Sequence, residues 1–236
     1  AMTRGLSDIA AMGGEARFAL ASVAAAPWTK RPFLRGFYRG MMALAKQFDV
    51  RVIGGDVSAS DKFVCDIVVI GAVRRGRAIR RNSAKPGDAI YVSGPLGGAA
   101  ASGWTLMPRP RLDLAQDLLR LRATACMDLS DGLSLDLHRL SLASGVEAHL
   151  ASVQIPCAEG ASLEQALHGG DDYELVLTLP PGKAVPDGLR LTRIGEIVRG
   201  KPGRVTLDGR ALKPSGWDPI AAQNCGAGKI TPPKMR

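Results

Sequence analysis

Aromatic residues supply only 5% of this 236-residue chain, too few for the stacking platforms on which single-stranded nucleic acids are usually held. No recognition-helix or RNA-binding signature offsets that scarcity, so the formal charge of +9 does not by itself make a nucleic-acid protein. Its densest cluster, Arg74, Arg75, Arg77, Arg80 and Arg81, reads mostly as solvated surface. The four cysteines, Cys65, Cys126, Cys157 and Cys225, include no Cys-x-x-Cys pair, which argues against both a zinc site and a disulfide framework. Cys65 and Cys126 sit in apolar runs and read as buried thiols. His138, His149 and His168 lack metal-ligand spacing. No apolar run reaches membrane-spanning length, and no basic, apolar and small-residue series opens the chain, so the expectation is a cytoplasmic protein without a membrane partner. The Gly94-Pro95-Leu96-Gly97-Gly98 loop lacks the Lys-Ser/Thr of a phosphate-binding loop and the spacing of a dinucleotide fingerprint; it reads as tight packing at a strand-to-helix turn.

The 46% apolar content is ample for a core in one large or two small domains. The chemistry concentrates in Met127-Asp128-Leu129-Ser130-Asp131-Gly132-Leu133. Residues 123–127 read as a short buried strand, and Leu133, Leu137 and Leu140 recur at helical spacing, so the polar cluster falls on a strand-to-helix turn. Standing alone, Ser-Asp-Gly there is turn and cap chemistry, with Ser130 as the helix N-cap. Three further segments repeat small residues around Asp: Leu6-Ser7-Asp8, Ile53-Gly54-Gly55-Asp56 and Gly169-Gly170-Asp171-Asp172-Tyr173-Glu174-Leu175. Four acidic turns on one chain point to one composite site, and carboxylates converging on a turn call for a hard cation such as Mg²⁺. Ser7-Asp8 is also good capping chemistry, which leaves a second reading for Asp8.

The remaining pattern places these turns. Residues 17–24 read as a strand. Phe33, Phe37, Met41, Leu44 and Phe48 mark one face of an amphipathic helix and are expected in the core. Residues 51–53 read as a short strand delivering Asp56 at its end, and residues 64–73 as a longer one. Lys85-Pro86-Gly87-Asp88 is a turn, taken as the boundary between a unit over 1–84 and an α/β unit over 85–220. A strand at 89–93, a helix at 113–122, strands at 149–153 and 173–179, and further strands over 189–198 and 204–207 follow. Residues 221–236 read as a mobile tail.

No cysteine is flanked as a nucleophile and no Ser-His-Asp order is present, so chemistry by positioning and electrostatics, as in phosphoryl transfer, fits best. The four motifs in this order, with Ile194-Gly195-Glu196-Ile197-Val198 and Gly216-Trp217-Asp218, resemble the thiamine-monophosphate kinase family, of the superfamily that includes aminoimidazole ribonucleotide synthetase. The resemblance runs over about residues 1–220. It implies an α+β fold of two subdomains, with mixed sheets packed against helices, and a homodimer formed through N-terminal strands. It also implies ATP-dependent phosphorylation of thiamine monophosphate to thiamine diphosphate with Mg²⁺. Carried over motif by motif, Asp8, Asp56, Asp128 and Asp131 become metal ligands, and Gly55, Asp56, Arg81 and Ser130 contact ATP. Asp171 binds substrate and Trp217 packs on its rings.

Two positions depart from the family pattern: Asp171 stands where Glu is frequent, and Val57 where Thr is common. The family's further N-terminal Gly-Asp-Asp and Thr-Asp motifs do not occur before Asp8, so a fragment of a longer protein is expected. The alternatives left by the sequence are a sister ATP-using enzyme of the same superfamily and a non-catalytic nucleotide-binding fragment.

Overall fold

The computed structural model describes residues 1–218; Cys225 and the tail expected over 221–236 lie outside the described residues. The chain opens with helix α1 (Met2–Ala11), whose residues Met2, Leu6 and Ala10, four apart, are buried while Arg4 and Asp8 face out. Strand β1 (Glu15–Ala25) follows, then α2 (Arg31–Gln47), β2 (Arg51–Ala59) and β3 (Val64–Ala72). These strands form a three-stranded sheet of order β2-β1-β3, with β1 and β2 parallel across the α2 crossover and β3 antiparallel to β1; a parallel pair needs such a long connection.

The second sheet has seven strands. They are β4 (Ala89–Val92), β5 (Ala125–Asp128), β6 (Glu147–Leu150), β7 (Leu175–Leu179), β8 (Thr192–Val198), β9 (Val205–Leu207) and β10 (Arg210–Leu212), in the order β10-β9-β6-β8-β4-β7-β5. Helices α3 (Gly98–Ala101), α4 (Ala115–Leu121), α5 (Leu133–Ser144) and α6 (Leu163–His168) join them. The result is an α+β architecture of mixed sheets with packed helices, as the motifs lead one to expect. All five residues of β7 are buried, because it runs between β4 and β5 with a core on each face. Leu133, Leu137, Leu140 and Val176 pack in one core; Leu175, Leu177 and Leu179 join Leu118, Ala10 and Ala11 in the other. The N-terminal end of α1 belongs to a third cluster, where Met2 and Leu6 meet Ala19, Ala21 and Met41. Spanning two cores, α1 packs its N-terminal end on the three-stranded sheet and its C-terminal end on the second sheet.

Several elements depart from the sequence expectations. β2 runs to Ala59, so Asp56 lies within a strand and not at its end; the register shift between Ala19 and Leu20, which pair with Val52 and Gly54, passes over Ile53, while Gly54 and Gly55 stay in step with Leu20 and Ala21. The helix expected over 113–122 starts as a 3₁₀ turn at Leu112–Leu114 and becomes α-helical only over Ala115–Leu121. β6 occupies Glu147–Leu150, ahead of the expected 149–153, and Tyr173 precedes β7 because it takes φ 50°. The α2 stripe is not a buried core: of its residues only Met41 and Ala45 are buried, while Phe33, Phe37, Leu44 and Phe48 partly line an open apolar hollow. Cys65 is half-buried, and Cys126 is buried. The turn at Lys85 forms as expected. Asp88 N–H donates to the Lys85 carbonyl at 3.0 Å, and the Asp88 carboxylate accepts from Lys85 N–H at 2.9 Å. No helix among the described residues is long and apolar enough to cross a membrane.

Candidate active site

β5 and β7 are antiparallel neighbours, with Asp128 opposite Leu175, so the two most distinctive motifs lie side by side. The pairing continues past the strands: Leu129 N–H donates to Glu174 O at 2.7 Å, Tyr173 N–H to Leu129 O at 2.9 Å, and Asp171 N–H to Ser130 O at 2.8 Å. Asp171 takes φ 57°, a left-handed conformation that short polar side chains tolerate. Its carboxylate accepts from the Tyr173 hydroxyl at 3.0 Å. The segment before Asp218 closes over the same loop. Trp217 N–H donates to Asp131 O at 3.0 Å, and a Cβ on Gly216 would lie 2.1 Å from that oxygen. Only glycine admits this approach, which brings Trp217, still 58% exposed, to the edge of the cleft.

Asp128 ends β5 and is buried. Burial, reinforced by the carboxylates of Asp8 and Asp136, raises its pKa from 3.8 to about 7. The Ser7 hydroxyl lies close enough to favour the ionised form but makes no well-formed hydrogen bond. Partial desolvation of its carboxylate likewise raises Asp8, although the residue is exposed on α1, while Arg4 and Arg81 pull it back. Arg4 stands one turn before Asp8, the spacing at which helix side chains meet. Burial also raises Tyr173, and its hydroxyl is within electrostatic reach of Asp171, Arg4 and Asp128. Asp8, Arg81, Asp128 and Asp171 are thus brought into one cleft, together with Ser7 and Tyr173, which the sequence offered only as motif neighbours, and Arg4, which no motif contains.

The turn after β5 is built differently from the expectation. Gly132, at φ 120°, occupies the N-cap of α5, and Ser130 does not cap it. The buried carboxylate of Asp136 reaches back instead, accepting from Asp131 N–H at 2.9 Å and Gly132 N–H at 3.2 Å. Burial raises Asp136 to about 6 against the pull of those amides. Arg139 joins the same knot, at 3.0 Å from Asp136 Oδ1 and in a close ion pair with Asp131. A lone Asp and Arg at positions three apart inside a helix carry no sequence signature of such a knot.

Asp172 is structural in the way its motif allows. Its carboxylate accepts from Gly97 N–H at 2.7 Å and Ala99 N–H at 3.3 Å, fixing the glycine-rich loop. A Cβ on Gly97 would lie 2.7 Å from Ala166 N, so the loop's glycine serves close packing. His168 is taken up by Ser134, at 2.7 Å from its Nδ1. Gly55 and Asp56 stand apart from the cleft on exposed β2, where with Ala21 and Tyr38 they line a separate hollow. A Cβ on Gly55 would come within 1.9 Å of Ala21 O. Among the described residues no three acidic, Cys or His side chains are gathered as a ready-made metal cage. Asp8 and Asp128 do fit a Mg²⁺ ion, which usually takes one or two protein carboxylates and completes its shell with water and substrate phosphates.

Comparison with known proteins agrees with this arrangement. Residues 1–73 match the AIR synthase related protein N-terminal domain, and residues 85–208 match the corresponding C-terminal domain. The thiamine-monophosphate kinase of Bacillus subtilis (strain 168) is 33% identical over 208 residues, covering 76% of this chain and 64% of that protein. That of Rhodopirellula baltica is 34% identical over 215 residues, covering 84% of this chain and 67% of that protein. The chain therefore spans about two thirds of the length of these relatives. The solved structure of AaThiL complexed with AMPPCP and TMP superposes with a TM-score of 0.82 at 29% identity, over 90% of this chain and 76% of that one. The chain belongs to the thiamine-monophosphate kinase family, among the AIR synthase related proteins.

Proposed function

We propose that the protein transfers the γ-phosphoryl group of ATP to the phosphate of thiamine monophosphate, yielding thiamine diphosphate and ADP. The observation that carries this reading is the buried carboxylate of Asp128 facing Asp8, with the guanidiniums of Arg4 and Arg81 in the same cleft and the Asp171–Tyr173 turn on the neighbouring strand. Two carboxylates so placed are costly in the absence of a cation, and guanidiniums beside them suit polyphosphate oxygens. AaThiL, the structural relative solved with AMPPCP and TMP, supports both substrates, since AMPPCP is an ATP analogue.

In this reading Asp8 and Asp128 would hold Mg²⁺, which would supply positive charge against that of the phosphates. Asp131, whose carboxylate Arg139 holds, would be the next ligand on the adjoining turn; Asp56, in the separate hollow on β2, has no ligand role in this cleft. Arg81, with Ser130 on the turn after β5, would contact the nucleotide, while Gly55 and Asp56, apart on β2, take no part in this cleft. Asp171, held by its bond from Tyr173, orients thiamine monophosphate, and Trp217 covers its rings. No protein nucleophile is required, because the acceptor phosphate attacks directly. Rate comes from holding two anions in line and from the positive potential of Arg4 and Arg81.

A homodimer belongs to the same proposal. The outer face of the three-stranded sheet presents Val64, Val68 and Ile70 of β3, each exposed, beside Phe18 and Leu20 of β1 in register. An apolar sheet face of this kind is normally covered. The test of function is to incubate the chain with ATP, Mg²⁺ and thiamine monophosphate and to separate thiamine diphosphate chromatographically. Formation of thiamine diphosphate that disappears in Asp128→Asn is expected; turnover unaffected by that substitution would contradict the assignment.

A further inference from the structure

Outside the acidic cleft the positive charge of the chain is gathered, not spread. Arg74-Arg75-Gly76-Arg77 is a tight turn in which Arg77 N–H donates to Arg74 O at 2.9 Å and Gly76 takes φ 75°, the third-position glycine of a type II turn. Arg74 and Arg77 line one hollow of about 580 Å³, whose other walls carry Arg17 of β1 and Arg120 of α4. The Arg77 guanidinium donates to the Leu119 carbonyl at 3.4 Å and also borders a second hollow of about 390 Å³, lined by Arg80, Lys85 and Arg122. Arg122 follows α4 at φ 59°, a left-handed position that favours glycine, yet a cation stands there.

Carboxylates answer only two of these cations: Glu15 lies 3.6 Å from Arg17, and Asp117 2.9 Å from Arg120. Arg74, Arg77, Arg80, Arg122 and Lys85 make no ion pair among the described residues. Neither hollow has an aromatic wall, so a base would find no stacking surface; concave clusters of guanidinium forks suit phosphate oxygens. The place is separate from the acidic cleft. Arg80 lines the second hollow, whereas its neighbour Arg81 acts on Asp8.

We propose that the two hollows, joined at Arg77, form a second anion site that binds a phosphate chain: the di- or triphosphate group of a small molecule. Two or more linked phosphates are needed to engage both hollows at once, and a single phosphate would satisfy only one. The site is built from the 74–85 segment, α4 with Arg122 after it, and Arg17 of β1, and none of the residues assigned to phosphoryl transfer contributes to it.

The test is calorimetric titration of tripolyphosphate, without divalent cations, into the whole chain and into three variants. Arg122→Gly removes a cation at a backbone position that glycine prefers, so its fold is safe; Arg74→Gln/Arg77→Gln removes the shared wall; Arg81→Gln reports on the acidic cleft. Saturable binding is expected, weakened roughly ten-fold or more by the first two variants and changed less than roughly two-fold by Arg81→Gln. ATP and thiamine diphosphate titrated in the same way distinguish a nucleotide from another diphosphate ester as the carrier. Unchanged affinity in both groove variants overturns the proposal, as does loss of binding in Arg81→Gln alone. A uridine oligonucleotide that binds more tightly than tripolyphosphate, with the same dependence on Arg122 and Arg77, would replace it with a nucleic-acid surface.

Discussion

Replacing Asp128 by Asn should stabilise the metal-free protein, and increasingly so as the pH rises. The Asp128 carboxyl titrates at about 7 in the fold against 3.8 when unperturbed, chiefly through burial and then through Asp8 and Asp136. A folded-state pKa raised above the unfolded value means that the native protein holds a proton that the unfolded chain releases. Below about pH 4 both states are protonated and the fold carries no penalty; between about 4 and 7 the penalty grows, and above 7 it is constant. About three pKa units at 1.36 kcal/mol each give a full penalty of about 4 kcal/mol. Asn keeps the shape and cannot ionise. Urea unfolding in EDTA at pH 5 and pH 8 should therefore show the gap between Asp128→Asn and the unsubstituted protein widening by about 3 kcal/mol. A gap that stays constant between the two pH values, or closes at pH 8, would refute the burial argument.

Asp136→Ala leaves the amides of Asp131 and Gly132 without their acceptor and releases Arg139; a loss of about 2–4 kcal/mol in denaturant unfolding is expected. Gly55→Ala drives a methyl group to 1.9 Å from Ala21 O, so β2 should detach from β1, seen as rapid amide exchange over 51–59 with protection retained in β7. Trp217→Ala removes an exposed side chain at the cleft edge. It should shift stability by less than about 0.5 kcal/mol while raising KM for thiamine monophosphate more than KM for ATP, as steady-state kinetics would register. Val68→Lys places charge on the outer face of the three-stranded sheet, and sedimentation should show the dimer dissociating with the monomer still folded.

The sequence was most legible where pattern and environment agree. Leu133, Leu137 and Leu140 announce α5 by spacing and are buried in one core; residues 64–73, read as one longer strand, form β3 over Val64–Ala72. The α2 stripe shows the limit: its period correctly marks a helix, but periodicity reports one apolar face and not what covers it. β2 was truncated because Gly54-Gly55-Asp56 breaks the apolar alternation, although backbone pairing with β1 continues through a bulge. The cap of α5 is not legible, because Ser130 has the right chemistry in the wrong place and Asp136, one turn beyond Gly132, satisfies the amides. Within the cleft, Asp8, Arg81, Asp128 and Asp171 carried motif signals. Arg4 carried none, and Tyr173, inside the motif over 169–175, showed no role of its own, since both roles arise from the packing of α1 against the second sheet, a contact between segments more than a hundred residues apart.

The central claim, that Asp8 and Asp128 form the cation-dependent phosphate cleft, is tested most directly by titrating AMPPCP into the protein with and without Mg²⁺, beside Asp8→Asn and Asp128→Asn. Binding that requires Mg²⁺ and falls at least about ten-fold in each variant, with both variants folded, is the predicted result. Mg²⁺-dependent binding of undiminished affinity in the two variants would contradict it and place the nucleotide elsewhere on the chain.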